Sequence, residues 1–371
     1  MTQRLHETLP GGPLYAVALT RSGVRVARRL AAAIPGAAAV APERFAGDGV
    51  QPLSEPASAL LARLWPGAGG FFLVMAAGIA VRAVAPLLRD KAVDPAVVVL
   101  DPEGRFAVPL LSGHLGGANA LAREVGRRLG AVPVLTTATD AAGAPAAEVW
   151  ARDRGLRLED RAGVIRVNAA WANGDPVAAY LDPALGDPAL LEELEPFLGL
   201  VTGDEAEARE ASVVLLAVTH RLLPTLGAAL TLRPPCLTLG AGCREGADPR
   251  QVLEGARRAL ERAGLAAGAV RQVASVNAKA REPALRELAR ALGVPYVTLP
   301  PEALAAVPVP NPSTRVARAV GTPSVAEAAA LAASRGGRLV LPKVKGPTWT
   351  LAAALGPWEG AGAGEGVSAF L

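Results

Sequence analysis

The chain has 371 residues, of which 51% are hydrophobic and 19% charged, and it carries a net charge of +4 at neutral pH. This composition is typical of a globular protein of two or three domains. The basic residues are not grouped with aromatic side chains, so a nucleic-acid partner is not indicated. The most apolar run contains Arg82 and is too short for a membrane-spanning helix.

The sequence also indicates the cellular compartment. Cys236 and Cys243 are the only cysteines, and their spacing matches neither a redox motif nor a disulfide framework. The first residues, MTQRLHETLPGGP, lack the apolar core of a signal peptide. We therefore expect a cytoplasmic protein that has no membrane partner.

Strand, glycine-rich turn and helix alternate along much of the chain, which predicts an α/β fold. The predicted elements, in order, are a strand LYAVALT, a helix RSGVRVARRLAAAI, a buried strand FFLVMA, a helix GIAVRAVAPLL, and a hairpin of VVVLD and RFAVPLL. The hairpin turns at Asp101-Pro-Glu-Gly104, where Pro and Gly suit a tight turn.

A change in amino-acid composition divides the chain. The segment from 143 to 235 is rich in Gly, Pro and acidic residues, and the alternation of strand and helix patterns resumes after Arg233-Pro-Pro235. The fold class we predict is α/β, with two three-layer α/β domains. The predicted boundaries are an N-terminal domain at 1–142, a middle segment and linker at 143–235, a C-terminal domain at 236–355, and a flexible tail at 356–371. The middle segment is expected to attach to the N-terminal domain.

Polar residues follow several strands where ligand sites form in open α/β sheets, at the carboxyl ends of parallel strands. If the hairpin is antiparallel, the start of its first strand reaches the edge where the second strand ends. One edge is therefore predicted to gather Arg82, Lys91, Asp94, Ser112, His114, Asn119, Thr136, Thr137 and Asp140.

Each of these residues also has a structural interpretation. Asn119 suits a bond back to its loop, Asp94 before Pro95 suits an Asx-turn, and Asp140 suits a cap. His114 lies between glycines, where a structural and a catalytic role are about equally favoured. The pattern around Ser112 is not a nucleophile elbow.

The C-terminal third contains a second glycine-rich segment, which is interpreted as a loop between a strand and a helix. Backbone amides at Gly240 and Gly242, with the charge of Arg244, are predicted to bind an anion. Ser275 and Lys279 follow the next strand and are candidate substrate contacts. The segment lacks a dinucleotide or P-loop fingerprint. Scattered His and Cys predict no protein metal site.

These segments together resemble one known family. GIAVRAVAPLLRDKAVDPAVVVLDPEGRFAVPLLSGHLGGANALAREVGRRLGAVPVLTTATD resembles the N-terminal region of the CbiG family of cobalt-precorrin-5A hydrolases. GAGCREG, ASVNAKAREPAL, VGTPSVAEAAALAAS and LVLPKVKG are similar to its C-terminal part, which resembles the stand-alone CobE domain. One departure is Asn277, where the family usually has Asp.

The resemblance implies a reaction of anaerobic cobalamin biosynthesis. A δ-lactone on a methylated cobalt macrocycle is opened, and the meso carbon leaves with its methyl group as acetaldehyde. The protein is then expected to need no cofactor of its own, because cobalt belongs to the substrate. Other expected partners are neighbouring pathway methyltransferases and a second copy of the chain.

For this chemistry, His114 is expected to act as general base, oriented by Asp94, with Asp140 as a further proton shuttle. Lys91 or Arg82 is expected to hold a carboxylate, while Thr136, Thr137 and Asn119 donate to an oxyanion. Two alternatives remain open. One is a non-catalytic corrinoid carrier, and the other is a nucleotide-binding α/β enzyme.

Overall fold

The boundary between the two units of the chain falls after Asp153: unit 1 is Met1–Asp153 and unit 2 is Arg154–Leu371. The structure, a computed structural model, describes residues 9–90, 93–186, 188–211 and 213–358. Most of the tail that was predicted to be flexible therefore lies outside the described residues. In the described part, no helix has the length and apolarity needed to cross a membrane.

Unit 1 contains the predicted elements in their predicted order, and it also has two strands and a helix between residues 37 and 64 that were not predicted. Its strands are β1 (Leu14–Ala18), β2 (Ala37–Pro42), β3 (Val50–Leu53), β4 (Gly70–Val74), β5 (Ala96–Leu100), β6 (Phe106–Leu111) and β7 (Val132–Pro133). Its helices are α1 (Arg21–Ala33), α2 (Ala57–Leu64), α3 (Ala77–Val84), α4 (Ala118–Leu129), α5 (Ala138–Ala141) and α6 (Ala147–Asp153).

The strands described in unit 1 form one sheet in the order β3-β2-β1-β4-β5-β6-β7. Because successive side chains of a strand point to opposite faces, β4 supplies both sides of the core. Phe72 and Val74 pack with residues of α1 and α4. Phe71 and Leu73 pack with residues of α2 and α3. The result is the predicted three-layer α/β arrangement.

The predicted hairpin is confirmed, since β5 and β6 pair antiparallel. The carboxylate of Asp101 accepts hydrogen bonds from the backbone N–H groups of Arg105 (2.7 Å) and Phe106 (2.8 Å), and Gly104 takes the left-handed conformation at φ 68°. β7 runs parallel to β6. The carboxyl ends of β6 and β7 therefore lie at the same edge as the start of β5.

Unit 2 contains the middle and C-terminal parts of the chain. Its strands are β8 (Arg157–Leu158), β9 (Val177–Leu181), β10 (Leu198–Thr202), β11 (Val214–Val218), β12 (Leu230–Arg233), β13 (Leu237–Cys243), β14 (Val270–Val276), β15 (Tyr296–Leu299), β16 (Arg338–Lys345) and β17 (Trp349–Leu355). Its helices are α7 (Arg161–Asn173), α8 (Glu205–Glu210), α9 (Pro249–Arg262), α10 (Pro283–Ala291), α11 (Pro301–Ala305), α12 (Thr314–Val320) and α13 (Ala326–Ala333).

Two separate sheets form from the described strands of unit 2. The middle sheet has the order β10-β9-β11-β12-β8, and the C-terminal sheet has the order β15-β14-β13-β17-β16. The C-terminal sheet is again the centre of three layers. Its one face packs on α9 and α10, and its other face packs on α11 and α13.

The middle segment differs from expectation, because its sheet groups with the C-terminal part and not with the N-terminal domain. Side chains and backbone join the two sheets of unit 2. The Arg157 guanidinium donates to the carbonyls of Gly268 (3.1 Å) and Val270 (2.7 Å), and the Leu222 N–H donates to the Gly264 carbonyl (2.7 Å). The Arg233-Pro-Pro235 segment is therefore a short connection within one unit.

Candidate active site

The loop between β6 and α4 places His114 at the edge of the first sheet. Ser112 turns the chain out of β6 with a left-handed backbone, φ 55°. Its hydroxyl donates to the Asp94 carbonyl at 2.9 Å, which joins the end of β6 to the start of β5. A Cβ at Gly116 would lie 2.3 Å from the Ser112 Cβ, so only glycine fits there. The glycines next to His114 thus serve the tight turn.

The imidazole of His114 lies between two carboxylates. Its Nδ1 is 3.0 Å from Oε1 of Glu148, which α6 supplies. Its Nε2 is 3.2 Å from the Thr139 hydroxyl and 3.8 Å from Oδ2 of Asp140. The His114 side chain remains 23% exposed, whereas the two carboxylates are about one-tenth exposed. Contacts at both ring nitrogens therefore fix the orientation of the imidazole, and the ring is still accessible to solvent.

Three donors fix the carboxylate of Asp140. The Asn119 amide donates to Oδ2 at 2.6 Å, the Thr137 hydroxyl donates to the same oxygen, and the Arg123 guanidinium donates to Oδ1. Asn119 is 2% exposed at the start of α4. The predicted donors Asn119 and Thr137 are therefore directed at Asp140 and not at a substrate oxyanion.

These contacts determine the protonation states of His114 and Asp140. Contacts with Asp140 and Glu148 outweigh burial and raise the pKa of His114 from 6.5 to about 9. Burial alone would raise the pKa of Asp140, but bonds from His114 and Thr137 and the charge of Arg123 lower it to about 2. At neutral pH the site holds an imidazolium between carboxylates.

A small cavity adjoins the imidazole. It has a volume of about 130 Å³ and is lined by His114, Arg123, Thr139, Asp140, the segment from Gly143 to Ala146, Val149 and Trp150. A bound water takes up about 30 Å³, so the cavity has room for about four water-sized groups. It admits part of a large molecule but not a macrocycle.

The predicted cluster is brought together in part. His114, Asn119, Thr137 and Asp140 meet at the predicted edge. Asp94 does not orient the imidazole, and that prediction is wrong. Its buried carboxylate accepts hydrogen bonds from Trp65 Nε1 (3.2 Å) and the Arg89 N–H (2.9 Å), while Glu148 contacts His114 instead.

The prediction for Arg82 is also corrected. β4 and β5 are parallel, so the carboxyl end of β4 lies at the edge opposite the start of β5. Helix α3 begins at that opposite edge, and the exposed Arg82 guanidinium donates to the Gly78 carbonyl at 3.0 Å. Thr136 is exposed, and Lys91 lies outside the described residues.

Sequence reasoning missed Glu148, Thr139 and Arg123. Arg123 lies four residues after Asn119 on α4, so the spacing i, i+4 places both on one helix face. Thr139 immediately precedes the predicted Asp140. Glu148 had no comparable signal, because it lies beyond the predicted domain boundary at 142.

The glycine-rich segment of unit 2 is a strand and not an anion-binding loop. Gly240 and Gly242 belong to β13, whose backbone pairs with β14 and β17. A Cβ at Gly240 would lie 1.9 Å from the Ala326 carbonyl, so this glycine admits helix α13. The Arg244 N–H donates to the Thr348 carbonyl at 2.8 Å. The amides of the strand are therefore not available to an anion.

The remaining C-terminal candidates have local partners. The fully buried Ser275 hydroxyl donates to the Ala241 carbonyl at 2.7 Å. The half-buried Lys279 ammonium lies 3.0 Å from Glu282. Burial raises the pKa of the free Cys243 thiol to about 11 and that of Cys236 to about 12, so neither is a thiolate at neutral pH.

A second polar cluster follows β9 and β11 in the middle sheet. The buried Asp182 carboxylate accepts from the Thr219 hydroxyl (2.6 Å) and Arg221 Nε (3.0 Å), and His220 Nδ1 is 3.2 Å away. A cavity of about 600 Å³ lies beside Thr219 and Arg221. Across the described residues, no group of three or more His, Cys, Asp and Glu side chains is placed to hold a metal.

Family models match three successive parts of the chain. The cobalamin synthesis G N-terminal model matches residues 59–140, the cobalamin biosynthesis central region matches 145–234, and the cobalamin synthesis G C-terminus matches 237–354. These matches define a cobalamin biosynthesis protein of three parts. His114 lies in the first and Glu148 in the second.

Curated relatives give the same assignment. The chain is 30% identical to a cobalt-precorrin-5A hydrolase of Priestia megaterium, over 94% of this chain and 96% of the relative. It is 33% identical to that of Salmonella typhimurium, over 86% and 91%. Its C-terminal part is 40% identical to the protein CobE of Sinorhizobium sp., over 29% of this chain and 72% of the relative. The chain belongs to the CbiG family.

Proposed function

We propose that the protein is a cobalt-precorrin-5A hydrolase, which opens the δ-lactone of the macrocycle and releases acetaldehyde to form cobalt-precorrin-5B. Relatives of that name, at 30% and 33% identity over most of the chain, support the assignment. The observation in the site that carries it is an accessible imidazolium fixed between two carboxylates, beside a cavity. Such a group supplies and recovers protons during ester opening.

The pKa of His114 changes the role predicted from sequence for the first step. With a pKa of about 9, only about one imidazole in a hundred is neutral at pH 7. His114 therefore begins as a proton donor and not as the general base. Water attacks the acyl carbon, the lactone C–O bond breaks, and the departing oxygen takes the proton of His114 Nε2. The surplus proton of the water leaves to solvent.

The second step uses the neutral imidazole that the first step leaves behind. It recovers the proton from the new hydroxyl on the meso carbon while the bond from that carbon to the macrocycle breaks. The electron pair stays on the macrocycle, which takes one proton from solvent. One water is consumed, one acetaldehyde is released, and His114 returns to its initial charge.

The surrounding residues position this imidazole. Glu148 holds Nδ1, so that Nε2 is the edge turned toward Thr139 and the cavity. Asp140, held by Asn119 and Arg123, stabilises the positive charge of the ring from the other side. Cobalt enters with the substrate in this proposal. Pairing with methyltransferases or with a second copy of the chain stays a prediction.

The experiment that tests the function is incubation of the purified protein with the cobalt-precorrin lactone, followed by analysis of both products. A hydrolase gives stoichiometric acetaldehyde and a macrocycle that has lost the two-carbon unit. A corrinoid carrier binds the macrocycle and returns it unchanged. Tight binding without any acetaldehyde would therefore refute the proposal in favour of the carrier.

A further inference from the structure

The cavity beside His114 has both polar and apolar lining residues. The polar ones, among them His114, Thr139 and Asp140, are called the polar wall, and the apolar ones, which include Pro145 and Ala146, are called the apolar wall. Sites for drug-sized ligands usually have about 300–1,000 Å³, so a cavity of about 130 Å³ suits only a fragment. At about 30 Å³ per water-sized group, the cavity accommodates a fragment of up to about four heavy atoms.

We infer that this cavity holds the two-carbon fragment that leaves the macrocycle, an inference that rests on the proposed function. The fragment consists of the meso carbon, its methyl group and its oxygen, which are three heavy atoms. The oxygen fits the polar wall, where His114 Nε2 and the Thr139 hydroxyl lie 3.2 Å apart. The methyl group fits the wall that contains Pro145 and Ala146.

The geometry also accounts for the last step. As the carbon–carbon bond breaks, its electron pair stays on the macrocycle, the hydroxyl proton passes to His114, and the carbonyl of acetaldehyde forms within the cavity. The apolar wall then selects for a methylated meso carbon. Burying one methyl group favours the methylated substrate about fourfold to tenfold over the same lactone without that methyl.

Acetaldehyde alone is the probe that tests this cavity. The chain has three histidines, so the imidazole signals of His114 can be followed by NMR and assigned with a His114→Asn variant. Saturable shifts of the His114 signals are expected with acetaldehyde and not with the bulky 2,2-dimethylpropanal. Ala146→Leu adds three carbon atoms to the apolar wall and should weaken acetaldehyde binding at least tenfold.

Ala142→Leu is the matched control, because Ala142 is exposed and does not line the cavity. It should bind acetaldehyde as the parent does. If Ala146→Leu fails to fold by circular dichroism, Ala144→Val fills the same space. Equal binding in the folded filled variant, or equal shifts with the bulky aldehyde, overturns the inference.

Failure of the inference is separable from failure of the proposed function. Acetaldehyde release from the lactone, without any binding of free acetaldehyde at His114, overturns the assignment of the cavity alone. The absence of acetaldehyde release overturns the proposed reaction. The lactone without the meso methyl gives a further check, since equal turnover of both lactones would contradict selection by the apolar wall.

Discussion

Replacing Glu148 by Gln tests how the site controls the protonation of His114. The rise from 6.5 to about 9 corresponds to about 3 kcal/mol of preference for the imidazolium in the folded protein. Asp140 and Glu148 share this effect, so a neutral amide in place of the Glu148 carboxylate should lower the pKa of His114 to about 8. Glu43→Gln, in an exposed segment of unit 1, is the control.

The same change has a defined effect on stability. Because the folded pKa lies above the unfolded value, the contribution of His114 is complete below pH 6.5 and is lost as pH rises through 9. The parent protein should lose about 3 kcal/mol of unfolding free energy over that window, and Glu148→Gln about half as much. NMR titration of the imidazole and urea denaturation at several pH values measure both. Titration of His114 near 6.5 in the parent, or near 9 in the variant, would refute the reasoning.

Three further predictions concern other contacts. Arg123→Ala should raise the pKa of Asp140 above 2. Because the stabilisation by the ionised carboxylate is lost as pH falls through the folded pKa, acid unfolding followed by circular dichroism should move to higher pH. An unchanged midpoint would contradict the pairing of Arg123 with Asp140. Gly240→Ala should lower the free energy of unfolding by about 3 kcal/mol, because the added methyl group overpacks against α13. Gly246→Ala, at φ 69° in open space, should lower it by only about 1 kcal/mol, with both measured by urea denaturation. Equal losses would restore the interpretation of Gly240 as part of a loop. Arg233→Ala removes two hydrogen bonds to backbone carbonyls and two to the Glu159 carboxylate, and it should cost at least about 2 kcal/mol in thermal unfolding. A change below about 0.5 kcal/mol would make these contacts incidental.

Much of the first sheet was predictable, because its strands are short apolar runs bounded by turn residues. The antiparallel hairpin of β5 and β6 then placed His114 and Asp140 at one edge, and the structure confirms this. The prediction for Arg82 was wrong because it used the carboxyl end of β4 without regard to the direction of β5. The direction of a strand depends on tertiary pairing, which local sequence does not encode.

Two other differences between the prediction and the structure also arise from tertiary contacts. The Gly-Ala-Gly run at Gly240 suggested a loop, but in a sheet packed against an alanine-rich helix, glycine provides space for close approach. Glu148 lies 34 residues from His114, and only the folded chain brings α6 to the loop. The spacing of residues in the sequence therefore could not identify Glu148 as the partner of the imidazole.

The most direct measurement of the central claim is single-turnover lactone opening by the parent protein and by His114→Asn. Asn preserves a hydrogen bond but cannot transfer a proton, so opening should slow about 10²–10⁴-fold while the macrocycle still binds. In the parent, the rate should be constant at neutral pH and fall as pH rises through about 9, where the imidazolium is lost. Near-parental turnover by a folded His114→Asn protein would contradict the account and leave His114 a structural residue.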